Sequence, residues 1–249
     1  MDMEAIRAAV TQEVCRYFRE QEHSDRPGVP ARDVLAHLEH SMLNPDTTED
    51  TIRKGCQLAR KYAIAAVCVA PYYVPLAKEL LAGSPVRVGT AIGFPHGCMS
   101  QKAKLAELRE ALDNGAEEID VALNMLAIKS GRLLAAQQEL EELIRAAGGR
   151  ALIKAVFEHS VYTADEKPQV LRMLRASGVE YVKIQNMLSG HGARIEDVEL
   201  ASSILGRMVK IKIDGGIKTL AQAQSLLDAG AERLGLTATA KIAEEALHS

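Results

Sequence analysis

The chain has 249 residues, of which 47% are hydrophobic and 25% charged, and its formal net charge is −3. This balance is typical of a globular protein with a large core, and it excludes a disordered chain, a collagen and a coiled coil. The sequence has neither the basic excess nor the Lys/Arg-rich run that binding to nucleic acid usually requires. It also lacks an apolar run of about 18 residues, a basic start to the chain and CxxC spacing among its four cysteines. We therefore expect a cytoplasmic protein with no membrane segment, no zinc knuckle and no disulfide framework.

The first 30 residues predict a short helical extension. Apolar residues recur every four positions over residues 4–20, which is the pattern of one helical face. Two prolines and a glycine within residues 21–30 then break that helix. We expect residues 1–30 to form a helix and a linker without a core of their own, and residues 31–249 to form the catalytic domain.

After the linker, short apolar runs rich in Val, Ile and Ala alternate with helical patterns. The runs predict eight strands, at residues 35–43, 63–70, 86–93, 117–124, 151–158, 181–186, 209–214 and 233–238. Helices are predicted at residues 47–61, 101–114, 132–147, 163–177 and 219–229. This alternation indicates a parallel sheet covered by helices, and eight units in about 215 residues favour a single α/β domain, a (β/α)8 TIM barrel. An open doubly wound sheet is the alternative, but no GxGxxG motif follows the first strand.

Four ionisable residues interrupt the apolar strands: Asp120, Lys154, Lys183 and Lys212. Lys183 follows Lys154 by 29 residues and precedes Lys212 by 29, about one βα unit, and Asp120 lies 34 residues before Lys154. Since neighbouring strands of a barrel lie side by side, inward side chains at similar heights would converge on one pocket. Each lysine could instead face outward and pair with a glutamate, but four charges in matching positions favour a shared site.

Clustered lysines predict a particular chemistry. A lysine is nucleophilic only when unprotonated, so its pKa must fall from an ordinary value of about 10.4. A nearby ammonium and an apolar wall both lower the pKa of a lysine. The cluster therefore predicts a Schiff-base site in which Asp120 moves protons through a water molecule.

Three further side chains are candidates for substrate binding, and each has a structural alternative. Glu158 ends the fifth strand and could balance the lysines or cap the following helix. Cys68 could line the site, although a small core residue is favoured over a nucleophile. Asn124 could orient a substrate hydroxyl or satisfy its own turn.

The loops after strands seven and eight predict a second part of the site. Gly215 and Gly216 follow strand seven, and Thr237 follows strand eight shortly before a last helix. Barrels of this kind commonly bind phosphate there, through backbone amides and a helix N-terminus. A tight turn is the alternative for the glycines, and the neighbouring Asp214 would oppose an anion.

Several longer motifs follow one another in order along residues 35–239. They are HSMLNPDTTED at 40–50, VCVAPYYVPLA at 67–77, IGFPHG at 92–97, NGAEEIDVALN at 114–124, KSG at 129–131, IKAVFE at 153–158, TADEK at 163–167, YVK at 181–183 and KIDGGIKT at 212–219. On these motifs the chain resembles the deoxyribose-phosphate aldolase family of class I aldolases. Ordered agreement over so much of the chain is more specific than any one motif.

This resemblance implies reversible cleavage of 2-deoxy-D-ribose 5-phosphate to acetaldehyde and D-glyceraldehyde 3-phosphate. It implies that Lys183 forms the Schiff base, that Lys212 lowers the pKa of Lys183 and that Asp120 relays protons. Lys154 matches a further lysine of the family's site. The family needs no metal and no organic cofactor, and a homodimer would be in keeping with it.

Four segments depart from the family's usual pattern. Residues 184–188 replace Thr-Ser-Thr-Gly-Phe, residues 213–214 replace Ala-Ser, residues 235–239 replace Gly-Thr-Ser-Ser-Gly, and Glu39 replaces an aspartate. Because three of them fall on the phosphate side, a related Schiff-base aldolase or lyase acting on a different or non-phosphorylated aldehyde or sugar is an alternative. A third hypothesis is a non-catalytic barrel that serves as a binding module, against which the retained lysines argue.

Overall fold

A computed structural model describes residues 28–188, residue 190 and residues 192–249. The helix predicted over residues 4–20 and the linker residues 21–27 lie outside the described residues, so the N-terminal extension stays a prediction. Within the described part of the chain, no helix is long and apolar enough to cross a membrane.

Eight parallel strands close into a barrel in which each strand pairs with the next and the eighth pairs with the first. The strands are β1 (Leu38–Met42), β2 (Ala66–Val69), β3 (Arg87–Ile92), β4 (Glu118–Ala122), β5 (Leu152–Glu158), β6 (Tyr181–Gln185), β7 (Lys210–Asp214) and β8 (Arg233–Leu236). Most strand residues are buried, because helices cover the outer face and side chains fill the interior. The predicted barrel and all eight predicted strands are confirmed, with strand ends within three residues of the prediction.

Helices alternate with these strands around the outside of the barrel. They are α1 (Glu49–Tyr62), α2 (Val74–Leu80), α3 (Gln101–Asp113), α4 (Met125–Lys129), α5 (Leu133–Ala147), α6 (Glu166–Ala176), α7 (Ile195–Leu205), α8 (Leu220–Asp228) and α9 (Thr239–His248). The five helices predicted with bounds are confirmed. Helices α2 and α4 are too short for a period to show, and in α7 a buried Asp197 interrupts the apolar face. The sequence pattern therefore missed those three.

The strand register sets the heights of the interior charges. Asp120 pairs in register with Lys154 on the neighbouring strand. Lys183 pairs with Lys212 on its other side, and across β5 it stands opposite Val156, two residues beyond Lys154. The four groups therefore form two adjacent rows inside the barrel, the Lys183–Lys212 row being nearer the carboxyl ends of the strands.

Candidate active site

The structure brings the four sequence-predicted charges together inside the barrel. Lys183 Nζ lies 3.0 Å from Asp120 Oδ2, and Lys212 Nζ lies 2.9 Å from the same oxygen. Lys154 Nζ lies 3.6 Å from the other oxygen, Oδ1. All four side chains are buried. Asp120 is thus shared by three lysines, as the spacing along the chain indicated.

Two glutamates complete this cluster: Glu39, which the sequence analysis named only as a departure from the family's pattern, and Glu118, which it did not name. Glu39 Oε2 accepts a hydrogen bond of 2.5 Å from Lys212, and Glu39 Oε1 lies 2.9 Å from Lys154 Nζ. Glu118 forms a buried ion pair with Lys154. A signal for Glu118 was present, because it lies two residues before Asp120 and therefore on the same face of β4. These partners offset the cost of burying the lysines.

The neighbouring charges shift the pKa values of the buried carboxyl groups downwards. Burial alone would raise the pKa of Asp120, but Lys212, Lys183 and Lys154 outweigh it and hold that pKa well below its ordinary value. The pKa of Glu39 falls to about 2 because Lys154 and Lys212 outweigh burial in the same way. Both groups are therefore carboxylates at neutral pH.

The charge state of Lys183 differs from the expectation of a lowered pKa. Burial and the Lys212 ammonium favour the neutral amine, but the carboxylates of Asp214 and Asp120 outweigh them and raise the pKa of Lys183. Asp214 makes the difference, since its Oδ2 lies 2.8 Å from Lys183 Nζ. The resting lysine is an ammonium and must lose a proton before it can act as a nucleophile.

A cavity of about 710 Å³ opens at the carboxyl ends of the strands. Its lining includes Lys183, Asp214 and three residues predicted from the loops after β7 and β8, namely Gly215, Gly216 and Thr237. The rest of the wall is largely apolar and is formed by residues such as Leu43, Pro45, Ala70, Pro71, Phe94, Pro95 and Met187. Lys183 is thus the point where the buried charge cluster meets the cavity.

The sequence matches the DeoC/LacD family aldolase over residues 35–241. The chain belongs to this family. The deoxyribose-phosphate aldolase of Halalkalibacterium halodurans is 37% identical over 209 residues, which cover 84% of this chain and 93% of the relative. That of Coprothermobacter proteolyticus is 38% identical over 208 residues, covering 84% and 94%. A solved structure described as QR15, an aldolase, superposes with a TM-score of 0.82 at 31% identity, covering 87% of this chain and 96% of the other.

In this aldolase, two of the remaining predicted binding residues lie behind the cavity rather than along it. Lys154 is buried beside Asp120 on the neighbouring strand and does not line the cavity. Cys68 is also buried, with Sγ 3.9 Å from Asp120 Oδ2, and burial raises the pKa of its thiol to about 12. Cys68 is a protonated core residue, which is the structural alternative named for it.

Asn124 and Glu158 also lie outside the cavity lining and support loops of the aldolase. Asn124 accepts a hydrogen bond of 3.1 Å from Ala127 N at the start of α4, which satisfies its own turn. Glu158 accepts hydrogen bonds from Gln185 Nε2 at 3.1 Å and from the backbone N–H of Met187 at 3.2 Å. Glu158 therefore holds the segment that departs from the family's pattern, and the lysines have other partners.

Proposed function

We propose that this chain is a lyase that reversibly cleaves 2-deoxy-D-ribose 5-phosphate to acetaldehyde and D-glyceraldehyde 3-phosphate. The observation that carries the proposal is Lys183 Nζ at the base of the cavity, between two carboxylates, in a chain of the DeoC/LacD aldolase family. The curated relatives named deoxyribose-phosphate aldolase support the choice of substrate.

The proposed reaction begins with attack of the Lys183 amine on the C1 aldehyde of the open sugar. Loss of water gives an iminium, which is an electron sink that permits the C2–C3 bond to break once the 3-hydroxyl loses its proton. Glyceraldehyde 3-phosphate leaves, and protonation of the enamine followed by hydrolysis releases acetaldehyde. The protein supplies proton transfers and a fixed position for the nitrogen.

The geometry supports proton-transfer roles for Asp120 and Lys212. One oxygen of Asp120 lies within 3.0 Å of both Lys183 Nζ and Lys212 Nζ. A proton can therefore pass between the reacting lysine and its neighbour without either side chain moving far. The positive charge of Lys212 also favours the neutral form of Lys183.

Reductive trapping tests the Schiff base directly. With acetaldehyde and borohydride, we expect one ethyl adduct per chain by intact mass, located on Lys183 by peptide mapping. Lys183→Ala should abolish this adduct. Lys210→Ala is the control, because Lys210 lies on the neighbouring strand but is exposed. An unmodified wild-type chain, or an adduct that survives in Lys183→Ala, would refute the mechanism.

A second candidate function, cleavage of an uncharged 2-deoxy sugar or aldehyde adduct, is favoured by the phosphate side of the cavity. Asp214 places a carboxylate in the wall, and Gly215 N already donates a 3.2 Å hydrogen bond to Gly235 O. Among the described lining residues, Lys183 is the sole cation. The value of kcat/KM for deoxyribose with and without its 5-phosphate separates the two candidates, since a preference for the phosphate supports the first.

The substrate is a small molecule, and we propose a cytoplasmic homodimer that binds neither membrane nor nucleic acid. Sedimentation of the full chain over a range of concentrations tests the dimer, and a constant monomer mass would contradict it.

A further inference from the structure

Asp214 is a second carboxylate in contact with the reacting nitrogen, and it stands where the family usually has a serine. Its Oδ2 lies 2.8 Å from Lys183 Nζ, closer than the 3.0 Å that separates this nitrogen from Asp120. The Asp214 side chain lines the cavity and is 17% exposed, whereas that of Asp120 is 1% exposed. Asp214 is therefore the carboxylate that both touches the nitrogen and faces the substrate.

The two carboxylates differ in the number of cations that surround them. Asp120 has three lysine nitrogens within 3.6 Å, and together they hold its pKa well below its ordinary value. In the described part of the chain, Asp214 forms an ion pair only with Lys183. Each nearby cation stabilises the ionised carboxylate and weakens it as a base. Asp214 thus has fewer competing cations than Asp120 and lies on the cavity side of Lys183.

A glycine on the neighbouring strand leaves room for the Asp214 side chain. A Cβ placed on Gly235 of β8 would lie 2.7 Å from Asp214 Cγ and 2.8 Å from its Oδ1. Gly235 is not among the glycines with positive φ, so its backbone does not require glycine. Its lack of a side chain makes the space that the Asp214 carboxylate fills.

Lys183 Nζ forms ion pairs with two carboxylates, but neither contact has the geometry of a hydrogen bond. It is buried between the two carboxylates, yet it has no hydrogen bond of standard geometry among the described residues. Buried polar atoms normally have such a partner, and exceptions are frequent at reactive groups. The nitrogen can therefore turn towards an incoming carbonyl without breaking a well-formed hydrogen bond.

We propose that Asp214 is a catalytic residue that accepts a proton from the Lys183 ammonium and returns it to the hydroxyl that leaves as water when the iminium forms. This inference rests on the proposed Schiff-base function and adds to it an acid–base group on the cavity side.

The protons balance across this step. The ammonium of Lys183 gives one proton to Asp214, and the amine attacks the carbonyl carbon to form the carbon–nitrogen bond. One nitrogen proton passes to the former carbonyl oxygen, which gives a neutral carbinolamine. The Asp214 carboxylic acid then protonates this hydroxyl, the carbon–oxygen bond breaks, and water leaves. The iminium nitrogen keeps one proton and Asp214 is again a carboxylate.

The rate of iminium formation as a function of pH tests this role. We would mix the full chain with acetaldehyde, quench with borohydride at timed intervals, and measure the trapped fraction between about pH 5.5 and 8.5. For Asp214→Asn we expect a rate about 100-fold lower at pH 7.5 with an unchanged end point, since that is a typical loss for a missing acid–base group. The deficit should shrink towards low pH, where the solvent supplies the proton. Asp113→Asn, an exposed change at the end of α3, should match the wild type.

Two further variants separate proton transfer from a change of charge or shape. Removing the carboxylate also lowers the pKa of Lys183, which alone would speed attack at neutral pH, so a lower rate reports the lost proton transfer. In Asp214→Ala, added formate should restore part of the rate. Gly235→Ala keeps the carboxylate but displaces it, and should slow trapping as well.

Three outcomes would overturn the proposal. One is a rate in Asp214→Asn equal to that of the wild type or faster, and another is the absence of rescue by formate. The third is an Asp214→Asn variant in which only kcat/KM for the phosphorylated sugar changes, and rises, because Asp214 would then be a specificity residue. If the wild type is trapped at Lys183 but the variants behave in these ways, only the role of Asp214 falls. If the wild type is not trapped, the proposed function falls with it.

Discussion

Gly97 shows at the scale of one residue how closely the loop at the cavity mouth is packed. It has a φ of 63°, and a Cβ at this position would lie 1.8 Å from the carbonyl oxygen of Leu123. For Gly97→Ala we expect a loss of about 3 kcal/mol or more in the free energy of unfolding, because left-handed strain of roughly 1–2 kcal/mol adds to a clash with backbone. Urea denaturation at neutral pH measures this loss.

Gly83 provides the matched control for Gly97. Its φ is 72°, and nothing lies within 4 Å of its ideal Cβ position. Gly83→Ala should therefore lower the free energy of unfolding by the left-handed strain alone, roughly 1–2 kcal/mol. Equal losses in the two variants would show that the contact with Leu123 is relieved by a shift of the loop.

Individual residues also mark where prediction from sequence stops. The positions of Lys183 and Asp120 could be predicted because a charge in an apolar strand is visible in one sequence. The pairing of Glu39 with Lys212 could not, since the two residues lie 173 positions apart and no pattern in the sequence links them. The raised pKa of Lys183 was missed for a similar reason, because it depends on the distance to Asp214.

At the scale of elements, the repeated βα units made the strands predictable, whereas ion pairs between side chains of distant helices could not be predicted. The helix predicted at residues 101–114 is confirmed as α3, but its Lys104 is fully buried. Lys104 Nζ donates to Ala122 O at 2.7 Å and to Glu139 Oε1 of α5 at 2.6 Å. Glu139 in turn accepts from Asn124 Nδ2 at 3.1 Å. This network joins α3, α5 and the end of β4, and a lysine on a surface helix gives no sign of it in the sequence.

We therefore expect Lys104→Met to lower the free energy of unfolding by about 3–5 kcal/mol, because it leaves the Glu139 carboxylate without its partner. Thermal and urea unfolding measure the loss. Lys102→Met is the control on the same helix, where the side chain is exposed, and it should change stability by less than about 0.5 kcal/mol. A loss below about 1 kcal/mol for Lys104→Met would mean that water replaces the ammonium.

At the scale of the whole molecule, one spacing of 29 residues indicated both the architecture and the place of the site. In a closed parallel barrel, each βα unit returns the chain to the same height on the next strand, so residues one unit apart become neighbours. Lys183 and Lys212 are such neighbours. The shape of the cavity could not be predicted in this way, because loops after the strands, such as residues 93–100, follow no repeat.

The charged interior makes the stability of the whole barrel depend on pH. The folded protein holds the pKa of Glu39 at about 2, below its ordinary value of 4.5, so the unfolded chain binds a proton at higher pH than the folded one. The resulting stabilisation, on the order of 3 kcal/mol, is fully present above about pH 4.5 and is lost as the pH falls towards 2.

Glu39→Gln should lower the free energy of unfolding at pH 6, because it leaves Lys154 and Lys212 with fewer counter-charges. Below pH 4.5, the free energy of unfolding of this variant should fall less steeply with pH than that of the wild type. Urea titrations between pH 6 and pH 3 measure both effects, with Glu49→Gln, an exposed partner of Arg53, as the control that should run parallel to the wild type. Parallel curves for Glu39→Gln and the wild type would mean that other carboxylates govern acid unfolding.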